Sequence, residues 1–179
     1  NDIETITISR AASEGIKWEY EKKKTDFVYP YIYGSPLHIR QIFLNIYGNC
    51  IKYNRQNGTI TTTVESLGEH DGICTYRWTI SDNGRGMSKE FLSHIFEPFA
   101  QEKNDARSVY QGTGLGMAIV KELIDQMKGT IEISSEVGVG STFVVTIPFE
   151  ISPPPQKLQE KESACSIEGM KLLMAEDNE

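Results

Sequence analysis

Asn45, Asn49 and Lys52 recur at steps of four and three along the chain. On a helix those steps bring three side chains to one face. An amide oxygen ligates a hard cation such as magnesium, and an ammonium group meets a phosphate. Polar residues on one helix face ordinarily mark nothing more than a solvated surface. Asparagine is a poor helix former, however, and two of them in mid-helix call for another reason. Asp82 is the second candidate. It follows Cys74, Tyr76, Trp78 and Ile80 at steps of two, so strand geometry sets it on the same face as four large or apolar side chains. A half-buried carboxylate needs a donor, and the exocyclic amine of adenine would serve. Asp82-Asn83-Gly84 is otherwise common turn chemistry. Gly84 and Gly86 would let a flat base approach the backbone. Third, Gly112, Gly114 and Gly116 lead into a helix, and bare amides at a helix start favour an anion. Their spacing fits neither the dinucleotide fingerprint nor the P-loop, and a flexible connection would read the same way. A base-binding acid, a metal-binding amide with a lysine and a phosphate-binding turn are together the parts of an ATP site.

Those residues need elements to position them. Ser35-Pro36 opens a helix, a capping hydroxyl followed by proline at the first helical position. Ile39, Ile42, Phe43, Ile46 and Cys50 form its apolar stripe, and the asparagine stripe lies roughly 100° away on the helical wheel. Residues 59–66 and 73–81 read as strands joined by the polar loop "GEHDG". Ser88 caps a short helix, "KEFLSHIF", that Pro98 stops. Residues 100–111 are polar and aperiodic and read as a mobile loop. The glycine turn feeds a helix with the stripe Val120, Leu123, Ile124 and Met127, and Gly129 stands at its C-terminal cap. "TIEISS", the turn "EVGVGS" and "TFVVTIPFE" form a closing hairpin. Upstream, residues 1–34 read as lead-in strands: "GIKWEYEKK" as an exposed strand and "ETITIS" as another. Strands and helices do not strictly alternate, which predicts an α+β fold with helices covering one face of a mixed sheet.

The totals narrow the class. A chain of 179 residues suffices for one domain and a fragment of a second. The net charge of -7 argues against nucleic acid as a partner. The sequence has no apolar run of the roughly 20 residues that a membrane span needs, so no membrane contact is expected of this fragment. Cys50, Cys74 and Cys165 are odd in number and far apart, which suits a reducing cytoplasm, although a parent protein anchored in a membrane remains compatible. Residues 152–166, opening with "SPPPQKLQEKES", read as a proline-rich charged linker. Residues 167–179 contain "MKLLMAEDNE", an apolar strand-like run ending in acids.

Five motifs, in order, make the chain resemble the ATP-binding catalytic domain of sensor histidine kinases, in the Bergerat-fold superfamily that includes DNA gyrase and Hsp90. They are "LHIRQIFLNIYGNCIKY", "SDNGRGMS", "IFEPFAQ", "GTGLGMAIVK" and "GVGSTF", spread over residues 35–149. The resemblance implies a domain over residues 35–151, a two-layer α/β sandwich with about five strands in a mixed sheet under about three helices. It implies Mg-ATP as ligand, with Asn49 on the magnesium ion, Asn45 supporting it, Lys52 on the phosphates and Tyr53 near the ribose or phosphates. Asp82 would bond the adenine amine. Gly84, Gly86 and Met87 belong to the first glycine box, and Gly112, Thr113, Gly114, Leu115 and Gly116 to the box that cradles the phosphates. Phe96 and Phe99 would anchor an ATP lid formed by residues 100–111, and Thr142 would support Asp82 and the base. Three positions depart from the family pattern: Ser35 replaces a usual aspartate, Cys50 an alanine and Asn54 a threonine. None of these removes a ligand.

Position 45 separates branches of the superfamily. The gyrase and Hsp90 branches carry a glutamate there as general base; Asn45 cannot take a proton at neutral pH. The expectation is weak hydrolysis and phosphoryl transfer to a histidine, with Lys103 or Arg107 of the lid as candidate phosphate contacts. His38, His70 and His94 do not stand in an acceptor setting, so the resemblance places the acceptor upstream of Asn1, on a dimerising hairpin of a homodimeric parent. The tail resembles the first strand of a receiver domain, with Glu176-Asp177 as its acid pair, which implies a hybrid kinase. A degenerate nucleotide-binding scaffold and a Bergerat-type ATPase are the competing readings.

Overall fold

The computed structural model describes residues 2–22, 29, 31–102 and 113–154. Its first element corrects an expectation. "ETITIS" lies in a helix, α1 (Asp2–Ser13), not in a strand. The β-branched alternation that reads as a strand puts Ile6 and Ile8 on the exposed side. The positions that pack are Ile3, Thr7 and Ala11, one helical face, with Thr7 3% and Ala11 0% exposed. Tertiary packing at steps of four here overrides strand propensity. The helix ends where Gly15 takes φ 69° and the Ile16 amide reaches back to the Ala11 carbonyl at 2.9 Å, a turn that buries Ile16 over the last helical residues.

Strand β1 (Lys17–Lys22) follows and pairs in parallel with β2 (Thr59–His70). Between them α2 (Pro36–Lys52) begins as expected: the His38 amide donates to Ser35 Oγ at 3.3 Å, and Pro36 occupies the first turn. Strands β2 and β3 (Ile73–Asp82) run further than their sequence pattern indicates. The "GEHDG" loop shrinks to Asp71-Gly72, with φ 52° and 77°, the left-handed pair that a two-residue hairpin turn requires. Helix α3 (Lys89–Leu92) is a single capped turn, shorter than "KEFLSHIF". Helix α4 (Gly116–Gln126) closes one residue earlier than a cap at Gly129 implies. Lys128 takes the left-handed position, φ 56°, and the Gly129 amide bonds the Ile124 carbonyl at 2.9 Å. Strands β4 (Thr130–Glu136) and β5 (Gly140–Glu150) form the final hairpin.

The five strands make one mixed sheet in the order β1-β2-β3-β5-β4. One face is apolar. Ile60, Thr62, Cys74, Tyr76, Ile80, Phe143, Val145 and Ile147 pack there against Ile42, Phe43, Ile46 and Cys50 of α2 and Val120 and Ile124 of α4. The opposite face is polar, with Arg77 reaching Glu65 and Thr146, each at 3.4 Å. This is the two-layer α+β arrangement expected. Its consequence for chemistry is that α2, the end of β3 and the start of α4 converge at one edge of the covered face.

Candidate nucleotide site

The convergence leaves a cavity of about 460 Å³ bordered by Asn45, Asn49, Lys52 and Tyr53 of α2 and its cap, by Asp82, Gly86 and Met87, and by Thr113, Gly114, Leu115 and Gly116. That size suits a small organic ligand. Residues as far apart in sequence as Asn45 and Gly116 therefore line one cleft.

Asp82 ends β3 half-buried on the covered face, as the parity of Cys74, Tyr76 and Ile80 requires. Its Oδ1 accepts the Gly84 amide at 2.9 Å. Burial pushes the carboxyl above the ordinary range, against the pull of the Gly84 amide, the Cys50 thiol and the Ser141 amide. Burial, and then the Asp82 charge, push the Cys50 thiol far up, which keeps it in the thiol form beside Asp82. The carboxylate is thus paired within the protein and still borders the cavity.

The first glycine box is small for a reason the sequence does not show. A Cβ at Gly84 would collide with the Tyr53 carbonyl, and one at Gly86 with the Glu136 carbonyl, while Gly86 itself takes φ 67°. The loop after β3 is wedged between the end of α2 and the β4–β5 hairpin. Asn83 fixes it from the other side, its Oδ1 accepting the Thr59 amide at 2.8 Å. Met87 borders the cavity and its amide donates to Ser135 Oγ at 2.9 Å.

Asn45 donates Nδ2–H to the Gln41 carbonyl at 3.0 Å, which turns its Oδ1 toward the second glycine turn. A Cβ on Gly116 would lie 3.1 Å from that oxygen, so the glycine lets the start of α4 close on α2. Leu115 caps α4 without a side-chain hydrogen bond, and the first turn keeps its amides for whatever fills the cleft. Gly114, φ 71°, lies against Phe99, where a Cβ would come within 2.8 Å of the Phe99 Cα. Lys52 Nζ lies 4.7 Å from the Tyr53 ring centroid.

Two expected site residues stand elsewhere. Thr142 faces the opposite side of the sheet, its hydroxyl paired with Ser81 at 2.9 Å. Ser141, across the ladder from Asp82, borders the cavity in its place. The parity of Phe143 and Val145, read back along β5, reaches Ser141 and not Thr142, so the signal was present. The Phe99 ring is 71% exposed and does not border the cavity. Its contribution is backbone: at φ 65° its amide donates to the Gly114 carbonyl at 3.0 Å. Phe96 instead packs against the core. Arg10 and Arg85 also border the cavity, unassigned by any motif reasoning. Gly112, Lys103, Arg107, residues 103–111 of the lid, and the expected linker and receiver start from residue 155 onward lie outside the described residues.

The model of the histidine kinase-, DNA gyrase B- and HSP90-like ATPase family matches residues 34–151. An autoinducer 2 sensor kinase/phosphatase, LuxQ of Vibrio parahaemolyticus, is 32% identical over 155 residues, which cover 82% of this chain and 18% of that protein. Hybrid signal transduction histidine kinase A of Dictyostelium discoideum is 38% identical over 124 residues, 66% of this chain and 6% of that protein. Full-length ShkA in complex with AMPPNP superposes with a TM-score of 0.68 at 28% identity, covering 87% of this chain and 30% of that one. The catalytic domain of histidine kinase ThkA shares the fold, with a TM-score of 0.64 at 23% identity, over 82% of this chain and 89% of that one. The chain belongs to this ATPase family, in its sensor histidine kinase branch, as an ATP-binding catalytic domain. It spans a fifth or less of the curated relatives just described, by the 18% and 6% above.

Proposed function

We propose that this domain loads Mg-ATP and that, in the whole protein, it passes the γ-phosphoryl group to a histidine on an upstream dimerisation domain. The observation that carries the reading is the one cleft that Asp82, Asn45, Asn49, Lys52, Gly114 and Gly116 line together. An adenine amine would donate to Asp82, which needs the carboxylate ionised. The helix start and Lys52 would offset phosphate charge.

Magnesium fits this donor set in one way. Among the described residues no three His, Cys, Asp or Glu side chains come together, so Asn49 would supply one oxygen and the nucleotide phosphates most of the rest. Magnesium commonly binds in that manner. When bound, it would neutralise charge on the transferring group. Asn45 holds the position from which a carboxylate would activate water, and an amide does not do so. Transfer to a neutral imidazole needs no strong base at the cleft, because the nucleophile brings its own lone pair.

The hybrid histidine kinase among the relatives, of which this chain covers 6%, supports a parent with further domains: a homodimerising phospho-acceptor domain before residue 1, lead-in elements over residues 1–34, the catalytic domain over 35–151, a linker over 152–166 and a receiver domain from 167. The test is two-part. Calorimetry on this chain should show AMPPNP binding that Asp82→Asn weakens by about a hundredfold, as expected for a lost charged hydrogen bond in a covered site. The full protein incubated with γ-labelled ATP should then carry acid-labile, base-stable label. Unchanged affinity in Asp82→Asn removes the adenine assignment, and absence of label in a nucleotide-binding parent removes the transfer.

A further inference from the structure

Arg85 stands between Gly84 and Gly86, and its side chain borders the same cleft. Its backbone is held on both sides. The Arg85 amide donates to the Tyr53 carbonyl at 3.1 Å, and its carbonyl accepts the Gly138 amide at 2.7 Å. The residue is therefore tied to the end of α2 and to the tip of the β4–β5 hairpin. The guanidinium centre lies 4.3 Å from the Tyr53 ring centroid. Lys52 Nζ lies 4.7 Å from the same centroid. A ring face attracts a cation, but two cations gathered on one ring repel each other.

Within the described residues, neither cation is in an ion pair with a carboxylate. The two carboxylates bordering the cleft are otherwise engaged: Asp82 accepts the Gly84 amide and Glu102 the Ser88 amide, each at 2.9 Å. Lys52 and Arg85, both held at the Tyr53 ring, thus bring two positive charges to the lining of the cleft with no ion-pair partner among the described residues. The place of this Tyr53 platform is set by the chain. Arg85 follows Asp82 by three residues, and the Tyr53 carbonyl and Asp82 Oδ1 both crowd Gly84, so the platform adjoins Asp82, the residue that the ATP-site reading gives to the base.

We infer that Arg85, stacked on Tyr53 beside Lys52, is a nucleotide-contacting residue that binds the phosphate nearest the nucleoside, the α-phosphate. The planar guanidinium keeps one face on the ring and turns its N–H edge to the phosphate oxygens, a division of labour that lysine cannot reproduce in full. This rests on the ATP-site reading above and adds to it a residue between the glycines of the first box.

The experiment compares adenosine, AMP and ADP by calorimetric titration of the 179-residue chain and of its Arg85→Gln, Arg85→Ala and Arg85→Lys variants. Glutamine keeps a planar group to stack on Tyr53 and removes the charge. The wild-type preference for AMP over adenosine should fall by about tenfold in Arg85→Gln and Arg85→Ala, the size of one charge-assisted hydrogen bond. Adenosine affinity should stay within about twofold, and Arg85→Lys should recover most of the preference. A preference for AMP that survives in Arg85→Gln overturns the inference. So does an equal loss of adenosine and AMP, which would mark Arg85 as a structural clamp on the loop. Wild-type chain that binds none of the three would instead overturn the ATP-site reading itself.

Discussion

At the scale of single residues, the proposed contact at Asp82 would couple binding to pH. Burial raises the Asp82 carboxyl in the folded chain above the ordinary value of about 3.9. A group that binds its proton more tightly when folded contributes stability in full below the unfolded value and loses it as pH rises through the folded one. The empty wild-type chain should therefore lose stability across that window relative to Asp82→Asn, which has no charge to bury; thermal melts of both at stepped pH measure it. Nucleotide affinity should run the other way. In the proposed contact an adenine amine would donate to the ionised carboxylate, so AMPPNP should bind more tightly as pH climbs through the same window, and a flat calorimetric profile would contradict the contact. Position 142 gives a contrasting case. Thr142→Val removes a hydroxyl pair with Ser81 on the far face and should cost about 1 kcal/mol of stability while leaving AMPPNP affinity unchanged.

At the scale of elements, the loop after β3 is where packing and function are least separable. Gly86 takes φ 67°, and a Cβ there meets the Glu136 carbonyl. The left-handed backbone alone costs a larger residue about 1–3 kcal/mol, and the collision adds to it. Gly86→Ala should lower stability by more than about 2 kcal/mol in urea unfolding and displace the hairpin from Arg85, weakening nucleotide binding with it. Helix α1 teaches the same lesson from the other direction. Its strand-like alternation of Thr and Ile is real, but local preference for a strand spans only about 1 kcal/mol, and the burial of Ile3, Thr7 and Ala11 along one helical face opposes it.

At the scale of the molecule, one covered face of one sheet does two tasks. Its centre is the apolar core of α2, α4 and three strands, and its edge is the cleft. Ligand binding and folding therefore draw on the same helices, and saturating AMPPNP should raise the melting temperature of the whole domain in one transition, since binding to the folded state alone stabilises it by mass action. The absence of a carboxylate at position 45 belongs to this scale too, because under the proposed function it would turn the loaded domain toward transfer and away from hydrolysis. Steady-state assays of the isolated chain should show hydrolysis far slower than the labelling rate of the full protein. Asn45→Glu is the variant in which hydrolysis should increase.

Much of this was legible before any coordinates. The asparagine stripe, the parity of Asp82 and the caps at Ser35 and Ser88 are short-range properties, set by helical and strand periods that act within a few residues. The order of the motifs then identified the family. The rest depended on partners distant in the chain. That Phe99 contributes its backbone and leaves its ring in solvent follows from where Gly114 crosses it. That the first box must be glycine follows as much from the carbonyls of Tyr53 and Glu136 as from any ligand. Arg85 became a candidate only when folding stacked it on Tyr53. Periodicity assigns a side chain to a face, but only long-range packing decides what that face meets, because each contact is made by elements whose approach no local rule contains.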